Sequence, residues 1–337
     1  MIRKLTTLAA CAITVCAALA LAVIAPAHAQ SKKLVLALPG IPPIFATVNA
    51  YVAQQQGFFK KYGADVELRP FDNGTAAARA VVAGDVGLSL SPTPPVINQV
   101  SNAGVPLVAI FGFNNPDWIL ATTKPGETCK DLAGQSVGVD SIGGARSVAL
   151  RSMLIGCPGV KIGQVNQIAL GSNTAPAMIA GQLSYGVLHL DDVAVIEAQG
   201  KKVYTLLSMK KTNPTTHYLL YVARRDKLAA NREVYVRTIA ALIAANRFMQ
   251  KPKNAEAVGH AATITGHSVA ISEAALKEFL AIDFWATNND GMDRKKIEAV
   301  AALMKKIGAI KPDKQPVTYD KLVDPSIWKD ANAMVGK

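Results

Sequence analysis

Two lysines give way to an unbroken apolar run over residues 32–40 (KKLVLALPG), which reads as a strand ending in a Pro/Gly turn, and apolar positions then take helical spacing over 47–63 (TVNAYVAQQQGFFKKYG), where Gly63 is placed to close the helix. The exchange repeats at once. ADVELRPF (64–71) reads as a strand, NGTAAARAVVAG (73–84) as a helix and DVGLSLS (85–91) as a third strand. Strand, helix, strand in succession is how a parallel sheet covered by helices reads, so the fold class is α/β. A short helix within SPTPPVINQVSNAG (91–104) and an extended VPLVAIFGF (105–113) follow, and NNPDWILATTKPG (114–126) joins turn residues to a bridging strand. From QSVGVDSIGGARSVALRSMLIGC (135–157) the rhythm restarts and runs through KIGQVNQIAL, APAMIAGQ and YGVLHLDDVAVIEAQG, which predicts a second parallel-sheet lobe. NPTTHYLLYVARR (213–225) predicts a return crossover. Beyond Arg225 the pattern is mainly helical (232–250, 273–284, 294–308), with apolar stripes that face a core. A proline-interrupted tail (311–328) carries aliphatic and aromatic anchors and is expected to pack over the sheet or hinge.

The first residues change the compartment. Arg3 and Lys4 precede a long apolar run, and APAHA supplies small residues before Gln30, which predicts a cleavable signal peptide at 1–29. Removing 29 of 337 residues leaves 308, and losing those two basic residues takes the formal net charge from +12 to +10. The remaining basic residues are scattered, with no alternation of Lys or Arg and stacking aromatics, so no nucleic-acid partner is expected. Two of the four cysteines leave with the leader. Cys129 and Cys157 remain, and an oxidising compartment predicts a disulfide between them.

No catalytic constellation is visible: there is no G-x-S-x-G elbow, no phosphate loop and no H-E-x-x-H. No cofactor and no metal are expected, and the chain does not read as an enzyme. Binding chemistry is easier to place. In SLSPTPP, Ser91 and Thr93 end a strand before a helix start, where hydroxyls and backbone donors can meet a ligand, while Leu88 and Leu90 should point into the lobe. The competing role for both hydroxyls is to brace the turn. In SIGGARS, Gly143 and Gly144 allow close backbone approach and Arg146 can face a carboxylate, sulfonate or phosphate, or else lie on the surface. In LHLDD, His189 and Asp191 can face a ligand, while the competing role for an aspartate there is to cap the next helix. Phe45, Phe71, Phe111, Phe113 and Trp118 stand near strand ends, divided between core and cleft, with Asn73 and Asn114 among the nearby polar groups.

AYVAQQQGFFKKYGADVEL, NGTAAARAVVAGDVGLSLSPTPPVI, CKDLAGQSVGVDSIGGARS and MIAGQLSYGVLHLDD resemble the periplasmic solute-binding proteins of ABC importers, in the branch of nitrate, sulfonate and taurine receptors and thiamine-pyrimidine-precursor (NMT1/THI5-like) proteins. The resemblance runs from about residue 32 to 290. It implies a two-lobed type II binding protein, each lobe a parallel-rich sheet flanked by helices, with the ligand cleft between them. Lobe 1 would comprise 31–121 and 217–330, and lobe 2 residues 122–216. It also implies a periplasmic monomer that captures a small organic ligand by lobe closure and presents it to a membrane permease with a cytoplasmic ATPase. A sensor signalling to a membrane partner, or an enzyme of pyrimidine-precursor metabolism, are the alternatives. Family pockets draw on the loops that here contain Ile41, Pro43 and Phe45, then Asp72 and Asn73, Ser91 and Thr93, Gly143 to Arg146, and His189 to Asp192. The first of these, PGIPPIF, lacks polar residues, which favours an organic solute with an apolar face over a small inorganic anion.

Overall fold

Two five-stranded sheets organise the chain in a computed structural model that describes residues 33–171 and 173–336; the expected signal peptide lies outside them. The first sheet runs β2 (Val66–Phe71), β1 (Leu34–Pro39), β3 (Leu88–Pro92), β10 (Leu219–Arg224) and β4 (Leu107–Phe113). β1 pairs parallel with β2 and β3, whereas β10 lies antiparallel between β3 and β4. The second runs β7 (Asn166–Ala169), β6 (Ser136–Val139), β8 (Tyr185–Leu188), β5 (Ile119–Thr122) and β9 (Tyr204–Ser208), with β5 antiparallel to both neighbours. Each sheet is thus parallel-rich with one reversed strand, and helices cover it. The lobe boundary expected after residue 121 moves forward. Ile119–Thr122 is a member of the second sheet, because it pairs with β8 and β9, and the chain crosses within residues 114–118.

Burial on both faces explains the hydrophobic runs of these strands. Leu36, Leu38, Leu88 and Leu90 turn to one core with Phe111 and Tyr221, while Ala37, Ala109, Leu220 and Val222 turn to another. The long helix Arg232–Met249 buries Tyr235, Ile239, Leu242 and Ile243 against the first face. The tail joins β4 instead of crossing the hinge: Val323 bridges Ala109, and Asp324 N–H donates to the Ala109 carbonyl at 2.9 Å. Cys129 and Cys157 form the expected disulfide, closing a loop of 28 residues.

A backbone strap fixes the return crossover. Gly112 N–H donates to the Asp290 carbonyl at 3.0 Å, and a Cβ at Gly291 would stand 1.8 Å from the Gly112 carbonyl oxygen. Gly291 also has φ of +63°, so both space and backbone require glycine there. His217, just before β10, donates from Nε2 to the Gly291 carbonyl at 2.8 Å.

Candidate ligand-binding cleft

The carboxyl ends of parallel strands converge from both sheets on one cleft, where open α/β sheets bind ligands. β1 delivers Pro39 and Gly40, β2 leads to Asp72 and Asn73, and β3 ends in Pro92. From the other sheet, β6 leads to Asp140, β7 to Gly171 and β8 to His189. Trp118 and Tyr218, on the two crossings, form the back wall. This part of the cleft holds about 470 Å³ of space, partly open to solvent. A second arm of about 740 Å³ shares Ile44, Arg146 and His189 with it and extends past Pro43, Asp191 and Asp192 to Thr265 and His267. A third space, about 530 Å³, adjoins at Pro92, Trp118, Ala145 and Tyr218 and is lined mostly by apolar side chains, among them Val148, Met209, Leu303 and Met304.

The helix Ala145–Met153 points its amino end here, but its donors are taken. Asp140 accepts from Ala145 N–H at 3.0 Å, Arg146 N–H at 3.1 Å and Ser141 N–H at 2.8 Å. A carboxylate from the chain itself therefore occupies the position where an anion would complement the helix. Gly144 makes room for it: a Cβ there would lie 2.2 Å from Ser141 Oγ and 2.8 Å from both Asp140 oxygens. The expectation of free donors after Gly143 and Gly144 is corrected accordingly.

Arg146 is buried, not superficial. Its guanidinium donates to the Val187 carbonyl at 2.8 Å and pairs with Asp192 at 3.2 Å. Burial pulls its pKa down, and the carboxylates of Asp192, Asp140 and Asp191 more than reverse this. Asp192 also accepts from His189 N–H at 2.9 Å, the capping role weighed for this motif. His189 Nδ1–H donates to Asp117 at 2.7 Å. Burial is the largest influence on this ring and opposes its protonation, but the charge and hydrogen bond of Asp117 together with the charge of Asp191 more than reverse it, and the pKa is raised. Trp118 packs edge-on to both the His189 ring, at 5.1 Å, and the Tyr218 ring, at 5.4 Å. Asp191 is 6% exposed, and its Oδ2 meets His267 Nε2 at 3.2 Å.

Of the residues singled out in the sequence, Asp72, Asn73, Trp118, Arg146, His189, Asp191 and Pro43 line these spaces. Asn73 spends its Oδ1 on Ala76 N–H as a helix cap. Ser91 and Thr93 do not face the cleft. The Ser91 hydroxyl bonds Ser89 Oγ at 2.6 Å, and Thr93 Oγ1 bonds His217 Nδ1 at 2.7 Å and the Tyr218 carbonyl at 3.1 Å, both residues being fully buried. Only Pro92 between them reaches the cleft. Phe45 goes to the core against Phe279 and Trp285, and its neighbour Ile44 lines the cleft instead. Ile41 is exposed and outside the lining, as is Gly143; Asn114 braces the backbone of Asp293. Sequence reasoning missed Asp140, Tyr218 and His267. Asp140 carried a usable signal, an acidic residue at a strand end before a glycine-led helix. His267 lies far along the chain in a helical region and carried none.

The NMT1/THI5-like family profile matches residues 45–255. A protein of Brucella abortus (strain 2308) named as a binding protein is 23% identical over 225 residues, covering 66% of this chain and 69% of its own. Among solved structures, one from Bordetella bronchiseptica RB50 superposes with a TM-score of 0.74 at 21% identity, over 90% of this chain and 98% of that one. The alkanesulfonate-binding protein SsuA from Xanthomonas axonopodis pv. citri, bound to MOPS, gives 0.71 at 15% identity, over 88% and 100%. At these identities the structural likeness speaks for the fold.

Proposed function

Since the chain belongs to the NMT1/THI5-like family of periplasmic solute-binding proteins of ABC importers, we propose that it captures a small organic solute with an apolar face and a heterocyclic polar edge, and hands it to a membrane permease. The general role, a binding protein of an import system and not an enzyme, follows from the family. The choice of solute rests on one observation: Asp140 fills the helix amino terminus that a carboxylate or sulfonate would otherwise use. An anion brought there meets a fixed negative charge, whereas a ring nitrogen or N–H edge can use either the carboxylate or His189 Nε2. The wall of Trp118, Tyr218, Ile44 and Pro92, and the apolar space behind it, supports a flat or partly apolar body over a small inorganic ion. Lobe closure over the bound solute would produce the shape that a permease reads.

Native mass spectrometry of protein taken directly from cells tests this. One organic solute per chain, released on denaturation, is the expected result. Recovery of nitrate or another inorganic anion alone would overturn it.

A further inference from the structure

Asp191 is only half paired and, unlike Asp117, whose Oδ1 is also without a partner among the described residues, it lines open space. In the larger arm of the cleft, Arg146 is matched by Asp192 and the Val187 carbonyl, and His189 by Asp117. Asp191 has only His267, on Oδ2 at 3.2 Å; its Oδ1 has no partner among the described residues, although the residue is 6% exposed and lines the arm. A buried carboxylate oxygen without a donor is costly, and Asp191 borders the open arm from which a donor can approach its carboxylate. Across the cleft, Asp72 has no hydrogen bond or ion pair among the described residues.

The charge of the cleft points the same way. Its ionisable lining is Asp72, Asp140, Asp191 and Asp192 against Arg146 and two histidines, in a chain whose formal net charge is +12. The acidic lining is local and opposite in sign to the molecule as a whole. A low-dielectric cleft focuses such a field.

We propose that this arm is a cation subsite: the captured solute carries a protonated amine, which donates to Asp191 Oδ1 while the apolar body lies toward Trp118 and Tyr218. The inference rests on the solute-binding reading and narrows it to ammonium-bearing solutes. No covalent step is involved.

Titration calorimetry at neutral pH with benzylammonium chloride, benzyl alcohol and sodium benzoate, up to millimolar concentrations, separates charge from shape. Benzylammonium is expected to bind about ten- to a hundredfold more tightly than the alcohol, as a charge-assisted hydrogen bond predicts. Asp191→Asn should bring the amine's affinity down to that of the alcohol, with the alcohol's binding to the same variant showing that the cleft is still formed. A site that binds benzoate or the alcohol as tightly as the amine, or an Asp191→Asn protein that keeps the preference, overturns the subsite and leaves solute binding intact. If none of the three binds, the solute recovered from cells decides: a protonatable nitrogen supports the subsite and its absence overturns it. A chain that carries no solute and binds none of the three overturns both readings.

Discussion

Thr93 opens the helix after β3 with its hydroxyl held by His217 and the Tyr218 carbonyl, and the consequence is a fold role in place of a ligand role. Because His217 Nε2–H donates to the Gly291 carbonyl, the neutral ring offers Nδ1 as an acceptor, and the single Thr93 hydroxyl proton is directed to it at 2.7 Å and shared with the Tyr218 carbonyl at 3.1 Å. Thr93→Val leaves that buried nitrogen unsatisfied and should cost about 1 to 3 kcal/mol. Thermal melting and calorimetry together check it: a lower melting temperature with solute affinity unchanged is expected, and the reverse would return the hydroxyl to the cleft. His217 itself makes stability depend on pH. Burial holds its pKa down to about 4 from an ordinary 6.5, against the upward pull of the Gly291 carbonyl. Below about 6.5 the unfolded chain takes up a proton that the folded chain refuses, so this contribution is full above that pH and falls by about 3 kcal/mol toward pH 4. His189, with its raised pKa, acts in the opposite sense and loses its contribution as pH rises. Denaturant unfolding of wild type and His217→Gln across this window should show the gap between them narrowing as pH falls; a constant gap would remove His217 from the account. At this scale the sequence was readable where charge and strand end coincide, as at Arg146, His189 and Asp191. It was unreadable where a partner lies far along the chain: nothing near Thr93 announces His217, 124 residues away.

At the scale of elements, the amino end of helix Ala145–Met153 shows how close packing and capping act together. Gly144 has extended, unstrained backbone, so its requirement is steric: a methyl group would press on Ser141 Oγ and both oxygens of Asp140. Gly144→Ala should displace the cap and cost about 0.5 to 2 kcal/mol, the range for a lost N-cap, read as a lower denaturation midpoint. Asp140→Ala should cost a similar amount, and the double variant little more, since both remove one interaction. The disulfide acts on the unfolded chain. Closing a loop of 28 residues is worth about 3 to 4 kcal/mol in the chain-entropy account, and the Cys129→Ser, Cys157→Ser protein should lose that amount in urea unfolding with solute affinity retained. Strands and helices of both sheets were legible because short apolar runs bounded by Gly, Pro, Asn or Asp alternate along the chain with longer stretches of helical spacing. The crossing was not. Ile119–Thr122 is buried at every position, and four such residues show no alternation that would assign them to one sheet or the other. The insertion of β10 between β3 and β4 is equally hidden, because it depends on pairings more than a hundred residues apart.

Across the whole molecule, the two sheets are joined by crossings that carry Trp118 and Tyr218 into the cleft, so the segments that connect the lobes also line it. Aromatic contacts continue from there into the first lobe's core, Trp118 to Tyr218 at 5.4 Å, Tyr218 to Phe284 at 5.8 Å and Phe284 to Phe113 at 5.4 Å. A solute that touches both lobes stabilises whichever arrangement gives it more contacts, and it shifts the population only by its difference in affinity for the two. Turning a pair of states from 1:99 to 99:1 requires a difference of about 10⁴-fold, which a site lined from both lobes can supply and a site on one lobe cannot. Solution X-ray scattering with saturating solute should therefore show a smaller radius of gyration than without it. Tryptophan fluorescence provides a local reading of the same event. Trp118 lines the cleft, whereas Trp285 is sealed in the core with its N–H on the Ala46 carbonyl and Trp328 belongs to the C-terminal helix Ser326–Val335. Solute should change the emission of wild type, and Trp118→Phe should abolish that change while scattering still reports compaction. Emission that responds equally in Trp118→Phe would place the solute away from this wall, and scattering unchanged at saturation would mean that binding is confined to one lobe.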